Sequence, residues 1–126
     1  MSDALLLVAH GSPDPDWRVP LERIHARVSA LAPERRIVLA YMEFLEPSIA
    51  DAAARLVAEG ATRIRVVAML LSGGGRHFKR DIPALVEQVA ASHPDAHVFL
   101  DPAAIGTYDA IVDAMAAQLL DLPSLD

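Results

Sequence analysis

Apolar runs and amphipathic stretches alternate along the chain. Residues 4–9 read Ala-Leu-Leu-Leu-Val-Ala, a short unbroken apolar run of strand length. A polar, proline-bearing stretch over 10–16 follows. From Trp17 the spacing changes: Trp17, Leu21, Ile24, Val28 and Leu31 recur at four, three, four and three residues, which predicts a helix over 17–31 with Asp16 as its N-cap and Pro20 in its first turn. A second strand is predicted over 36–42. Pro47 and Ser48 open a helix that Gly60 ends, burying Ile49, Ala53, Leu56 and Val57. Residues 63–71 form the most apolar run, as expected of a central strand covered on both faces.

The glycine-bearing loop 72–80 leads to a third helix, with Asp81 as predicted N-cap, Ile82, Leu85, Val86 and Val89 as its buried face, and Pro94 as its stop. A short strand over 96–100 and a last helix over 106–120 complete the pattern. The last helix presents Tyr108, Val112, Met115 and Leu119 on one face. The order βαβαβαβα predicts a three-layer α/β sandwich around a four-stranded parallel sheet. Right-handed crossovers reduce the topologies to a few, of which flavodoxin-like 2-1-3-4 is the simplest. There is no internal repeat or linker, so residues 1–126 are expected to form one domain.

Composition narrows the functional classes. The 126 residues carry a net charge of −6 and 53% apolar residues, enough to build a core and a poor match to nucleic acid. Cysteine is absent, which excludes disulfides, thiolate metal sites and cysteine nucleophiles. Neither 4–9 nor 64–71 is long enough to span a bilayer, and 4–9 lacks a basic leader. A cytoplasmic protein is the expectation. The positive charge is uneven: Arg76, Lys79 and Arg80 lie within five residues of sequence, a local match for an anionic ligand.

In a 2-1-3-4 sheet the ligand crevice lies at the carboxyl edge, between strands 1 and 3. His10 follows strand 1, Glu43 follows strand 2, and His77 lies in the loop after strand 3. All three therefore reach the same edge. Two imidazoles and a carboxylate suit a divalent ion such as cobalt, nickel, iron or zinc. His25, His93 and His97 lie away from that edge or on a helix flank. The loops lack a Walker pattern and a nucleophile elbow.

Val8-Ala9-His10-Gly11-Ser12, then Tyr41-Met42-Glu43-Phe44-Leu45-Glu46-Pro47-Ser48, then Gly74-Gly75-Arg76-His77 with Asp81-Ile82-Pro83, resemble the motifs of the small CbiX-type sirohydrochlorin chelatases. The resemblance spans about residues 4 to 90. It implies the chelatase fold in a half-length form that acts as a homodimer, where longer members carry two such domains around one cleft. It implies a lyase that inserts a divalent metal into sirohydrochlorin, usually cobalt for cobalamin biosynthesis, with nickel or iron in related members, and no organic cofactor.

By position, His10 and His77 match the family's metal histidines, and Glu43 matches an acidic residue near them. Ser12, Gly75, Arg76, Lys79 and Arg80 are the expected contacts to the tetrapyrrole, whose eight carboxylates call for cations. The sequence departs from the family where Ala68 or Met69 replaces a common proline and where Arg76 replaces a common glycine. Two rival readings remain on sequence alone: a non-catalytic metal or tetrapyrrole carrier, and a flavodoxin-like module whose histidines are incidental.

Overall fold

A computed structural model describes residues 3–125 and, for His77, the backbone alone. Its elements are β1 (Asp3–Ala9), α1 (Val19–Leu31), β2 (Arg36–Tyr41), α2 (Ile49–Ala58), β3 (Arg63–Ala68), α3 (Ile82–Ser92), β4 (His97–Leu100) and α4 (Asp109–Leu120). The strands form one parallel sheet in the order β2-β1-β3-β4, the predicted topology.

Residues of alternating parity feed the two faces of the sheet. On one face Leu6, Val8, Ile64 and Val66 meet Ile49, Ala53 and Leu56 of α2 and Ile82, Val86 and Val89 of α3. Leu6, Leu56, Ile64 and Ile82 are fully buried there. On the other face the buried cluster among the described residues is Leu7, Ile37 and Val67, with Leu5, Val28, Leu39, Met69 and Ile105 partly covered, and Ala9 and Tyr41 are buried at the strand ends. The core is therefore one-sided.

Several boundaries differ from the sequence pattern. The first helical stretch is split into a 3₁₀ turn (Pro15–Arg18) and α1, and Asp14 rather than Asp16 caps the turn by accepting from the Asp16 N–H. Two prolines, Pro15 and Pro20, each lack a donor, so each suits the start of a separate helical segment. Ser48 caps α2, while Pro47 stands outside it after a cis peptide bond. Gly60, at φ +100°, ends the helix as predicted.

The β3 ladder stops at Ala68, because beyond it Met69 bonds only to Val8 and Leu70 accepts from Gly106, outside any strand. A π turn (His77–Asp81) runs into α3, so Asp81 has helical dihedrals and makes no side-chain cap. The apolar stripes of α1 and α4 are covered less than their periodicity suggests. Neither helix has a buried residue among those described, and Leu31 and Leu119 are 86% and 68% exposed.

Asp101, just past β4, ties the lower sheet to the start of α4. It accepts from Arg65 at 2.8 Å and from the Tyr108 hydroxyl. The Tyr108 hydrogen bond, aided by Arg65, holds the Asp101 carboxyl below the usual range against the opposing effect of burial. The same hydrogen bond pushes the Tyr108 phenol up.

Two outcomes follow. Leu56→Ala should cost about 2–5 kcal/mol in urea unfolding, whereas Leu31→Ala should stay within about 0.5 kcal/mol. Stability from the Asp101–Tyr108 pair is complete between the two titrations. It falls on acidification as Asp101 protonates, and falls again as pH rises through the raised Tyr108 value, above about 10. Tyr108→Phe should reduce the alkaline loss in a Tm–pH profile, leaving the part that comes from Tyr41, whose phenol is also pushed up by burial.

Candidate metal site at the carboxyl edge of the sheet

The parallel ladder between β1 and β2 continues past both strands. The Met42 N–H donates to the Ala9 carbonyl at 2.9 Å, and the Glu43 N–H to the His10 carbonyl at 3.1 Å. This pairing lays the Glu43 backbone directly on Gly11. A Cβ at residue 11 would run into the Glu43 carbonyl oxygen, and Gly11 also sits at φ +101°. Phe44 then takes φ +70°, the Leu45 N–H reaches back to the Glu43 carbonyl, and Tyr41 pairs with Pro47 as the loop returns to α2.

The outcome is a side-chain pair. His10 Nε2 lies 3.2 Å from Glu43 Oε1, with side chains 31% and 52% exposed. The other ring nitrogen, Nδ1, is 3.0 Å from the Gly11 carbonyl, where it donates. That fixes the tautomer: a neutral ring then turns the Nε2 lone pair toward a carboxylate oxygen. Two electron-rich atoms at this separation invite a cation between them, either a proton on Nε2 or a metal. Ligand bonds of about 2.1 Å would subtend an angle of about 100°, compatible with common transition-metal geometries. Among the described residues no group of three His, Asp or Glu gathers around one point.

The remaining predicted residues divide. The His77 side chain lies outside the described residues; its backbone is in the π turn after β3. Ser12 accepts from the Asp14 N–H at 3.1 Å, which shapes the loop after β1. Gly75 is at φ +83° with open space where a Cβ would be. Arg76, Lys79 and Arg80 are all exposed on the same turn, and Arg18 pairs with Glu22. His25 bonds the Ile37 carbonyl at 2.7 Å, and His97 stacks on Phe99 at the far edge, so neither joins the pair.

Sequence reasoning missed two features. Gly11 serves as the seat for Glu43; the His-Gly dipeptide was visible, but its reason is a close approach from a strand thirty residues away. Asp81, read as a helix cap, instead shares with Met42, Glu43, Ala84 and Leu85 a hollow of about 360 Å³ beside the pair.

The model of the family described as CbiX matches residues 4–122. The chain belongs to the CbiX family. It is 38% identical over 85 residues to the sirohydrochlorin cobaltochelatase of Saccharolobus islandicus (strain L.S.2.15 / Lassen #1), covering 65% of this chain and 62% of that relative. It is 36% identical over 88 residues to the enzyme of the same name from Sulfurisphaera tokodaii, covering 68% of each. The alignment thus spans less than two thirds of the length of the first of these relatives.

Among solved structures, a CbiX protein from Marinobacter aquaeolei VT8 superposes with a TM-score of 0.83 at 28% identity, covering 96% of this chain and 94% of that one. The sirohydrochlorin chelatase SirB from Bacillus subtilis subspecies spizizenii, solved in complex with cobalt, gives a TM-score of 0.83 at 27% identity, covering 97% of this chain and 51% of the SirB chain.

Gly11→Ala tests how the family's His-Gly step is built. It should destabilise the fold by about 2 kcal/mol or more, from backbone strain and displacement of Glu43. Titration with Co²⁺ should show weaker binding to the folded fraction than in Glu43→Gln, because it disturbs both members of the pair.

Proposed function

We propose that this CbiX-family chain is a chelatase that inserts a divalent metal, cobalt foremost, into sirohydrochlorin, working as a homodimer in the cytoplasm. The observation that carries the reading is the His10 Nε2–Glu43 Oε1 pair at 3.2 Å on the ligand edge of the sheet. The names of the curated relatives support the substrate, and SirB structures with cobalt and with Fe3+ support iron as alternative cargo, while nickel rests on the motif resemblance alone. No described helix is long and apolar enough to cross a membrane.

The chemistry follows from what metalation needs. Two pyrrole protons must leave and a partly desolvated cation must enter. His10 holds the metal through Nε2 while its Nδ1–H stays on the Gly11 carbonyl, and the freed Nε2 then accepts a pyrrole proton. Glu43 offsets the metal charge and afterwards stabilises the imidazolium. His77, on the turn after β3, supplies the second imidazole, which takes the second pyrrole proton. Arg76, Lys79 and Arg80 on that turn meet the substrate carboxylates, with Ser12 and Gly75 lining the approach.

The test is anaerobic metalation of sirohydrochlorin followed by absorbance, with Co²⁺, Ni²⁺ and Fe²⁺ in turn against a no-protein control. The wild-type chain should accelerate insertion of at least one metal. His10→Ala and His77→Ala should each lose about 100-fold or more, and Glu43→Gln about tenfold. Wild-type turnover in His10→Ala overturns the mechanism. Binding without acceleration would mark a carrier. Tetrapyrrole affinity should also fall as salt rises, since exposed charges at the basic turn are screened.

A further inference from the structure

Phe44 stands in a conformation that bulky residues avoid. Its φ is +70°, and among the described residues other than glycine it alone has a positive φ. The Leu45 N–H donates to the Glu43 carbonyl at 2.9 Å, across a single residue, so Phe44 is the middle of a γ-turn in its rare, strained form. Strain of this kind persists where the surroundings impose it. Here they do so on both sides. The Glu43 N–H is held by the His10 carbonyl before the turn, and the Pro47 carbonyl takes the Tyr41 N–H after it. Nothing in that arrangement asks for a phenyl ring, because glycine adopts a positive φ without a steric penalty.

Packing does not use the ring either. Phe44 is 63% exposed, more than any other described Phe, Tyr or Trp, and belongs to neither buried cluster. Tyr41, by contrast, is buried, and Trp17 leans on it with ring centroids 6.3 Å apart. The strand order β2-β1-β3 places the end of β2 beside His10. Phe44 follows Glu43 directly, so their Cα atoms are about 3.8 Å apart. The most exposed aromatic ring described thus stands next to the metal pair, on a turn that fixes its base.

The tetrapyrrole has a matching requirement. Ser12, Gly75, Arg76, Lys79 and Arg80 are polar or lack a side chain, so they suit the carboxylates at its rim. The flat, unsaturated ring has apolar faces, and binding gains when such a face leaves water for an aromatic or aliphatic surface.

We propose that Phe44 is the residue that meets the apolar face of the macrocycle and seats its plane against the His10–Glu43 pair, so that the metal leaves the pair toward the ring centre. The strained turn is the device that makes this contact ready-made: a ring on a stiff base loses less freedom on binding than one on a loose loop. The proposal rests on the substrate reading above and names one contact within it.

The test is anaerobic binding of metal-free sirohydrochlorin, followed by absorbance, to wild type, Phe44→Gly and Phe44→Trp, with Co²⁺ binding measured by calorimetry on the same proteins. Phe44→Gly should raise the tetrapyrrole Kd about tenfold or more, the usual scale for loss of a stacked aromatic contact. Its Co²⁺ affinity should stay near the wild-type value, because glycine keeps the positive φ and with it the Glu43 backbone. Phe44→Trp, which retains an aromatic surface, should hold the tetrapyrrole Kd near that of wild type. A merely structural role would not separate the two ligands in this way. If circular dichroism shows Phe44→Gly unfolded, Phe44→Asn, which also tolerates a positive φ, is decisive in its place. Wild-type tetrapyrrole affinity in the folded variant overturns the proposal and leaves the chelatase reading standing. A parallel loss of Co²⁺ affinity overturns it as well, since Phe44 would then act by placing Glu43. A halved molar mass in light scattering overturns it in favour of a contact between copies. A wild type that binds no sirohydrochlorin overturns the substrate reading and this contact together.

Discussion

The contact between the Glu43 backbone and Gly11 governs the upper edge of the molecule. Two ladder hydrogen bonds carry β1 and β2 beyond their formal ends and press the chain after β2 onto residue 11, where any side chain would collide. Because the approach is backbone on backbone, it sets the Glu43 Cα relative to His10 with little freedom. The carboxylate then needs only its own rotamers to reach Nε2. A side-chain pair with both partners partly exposed would contribute little by itself to stability. Here the sheet supplies the order and the pair inherits it.

The sequence pattern was legible where one physical signal acted alone. The strand order followed from alternation of apolar runs with amphipathic segments, and the meeting of His10 with Glu43 followed from both standing at carboxyl ends of neighbouring strands. The helix boundaries were less legible, because Asp14 and Asp16 are equally good caps and two prolines compete to start the first helical stretch. Asp81 carried a cap signal, yet the turn before it is itself helical, so its N–H groups need no cap. The buried stripes of α1 and α4 were read correctly as apolar. Periodicity reports that a face seeks cover; it does not report whether the cover comes from the same chain.

The core is correspondingly uneven. The face under α2 and α3 holds the largest fully buried side chains, while the opposite face holds a smaller buried cluster and two hollows among the described residues. Stability in the copy described is therefore concentrated on one side of the sheet. The Arg65–Asp101–Tyr108 network adds a polar tether near the hinge into α4, fixing where that helix starts while leaving its length unpacked.

A metal that is cargo imposes a constraint opposite to that of a structural ion. Closed four-ligand sites hold their metal, and their affinity grows with each ligand and with burial. A site that must surrender its ion to a macrocycle works better with few ligands, open to one side. The proposed site at His10 and Glu43 would have that character: a nitrogen and an oxygen at 3.2 Å, an Nδ1 held on the Gly11 carbonyl, and half the carboxylate side chain in solvent. In the proposed mechanism the ring nitrogen that gives up the metal is then free to take a pyrrole proton, so one atom would serve the two halves of the exchange in sequence. The carboxylate beside it lowers the cost of either positive charge, whether metal or proton, and need not move between the two.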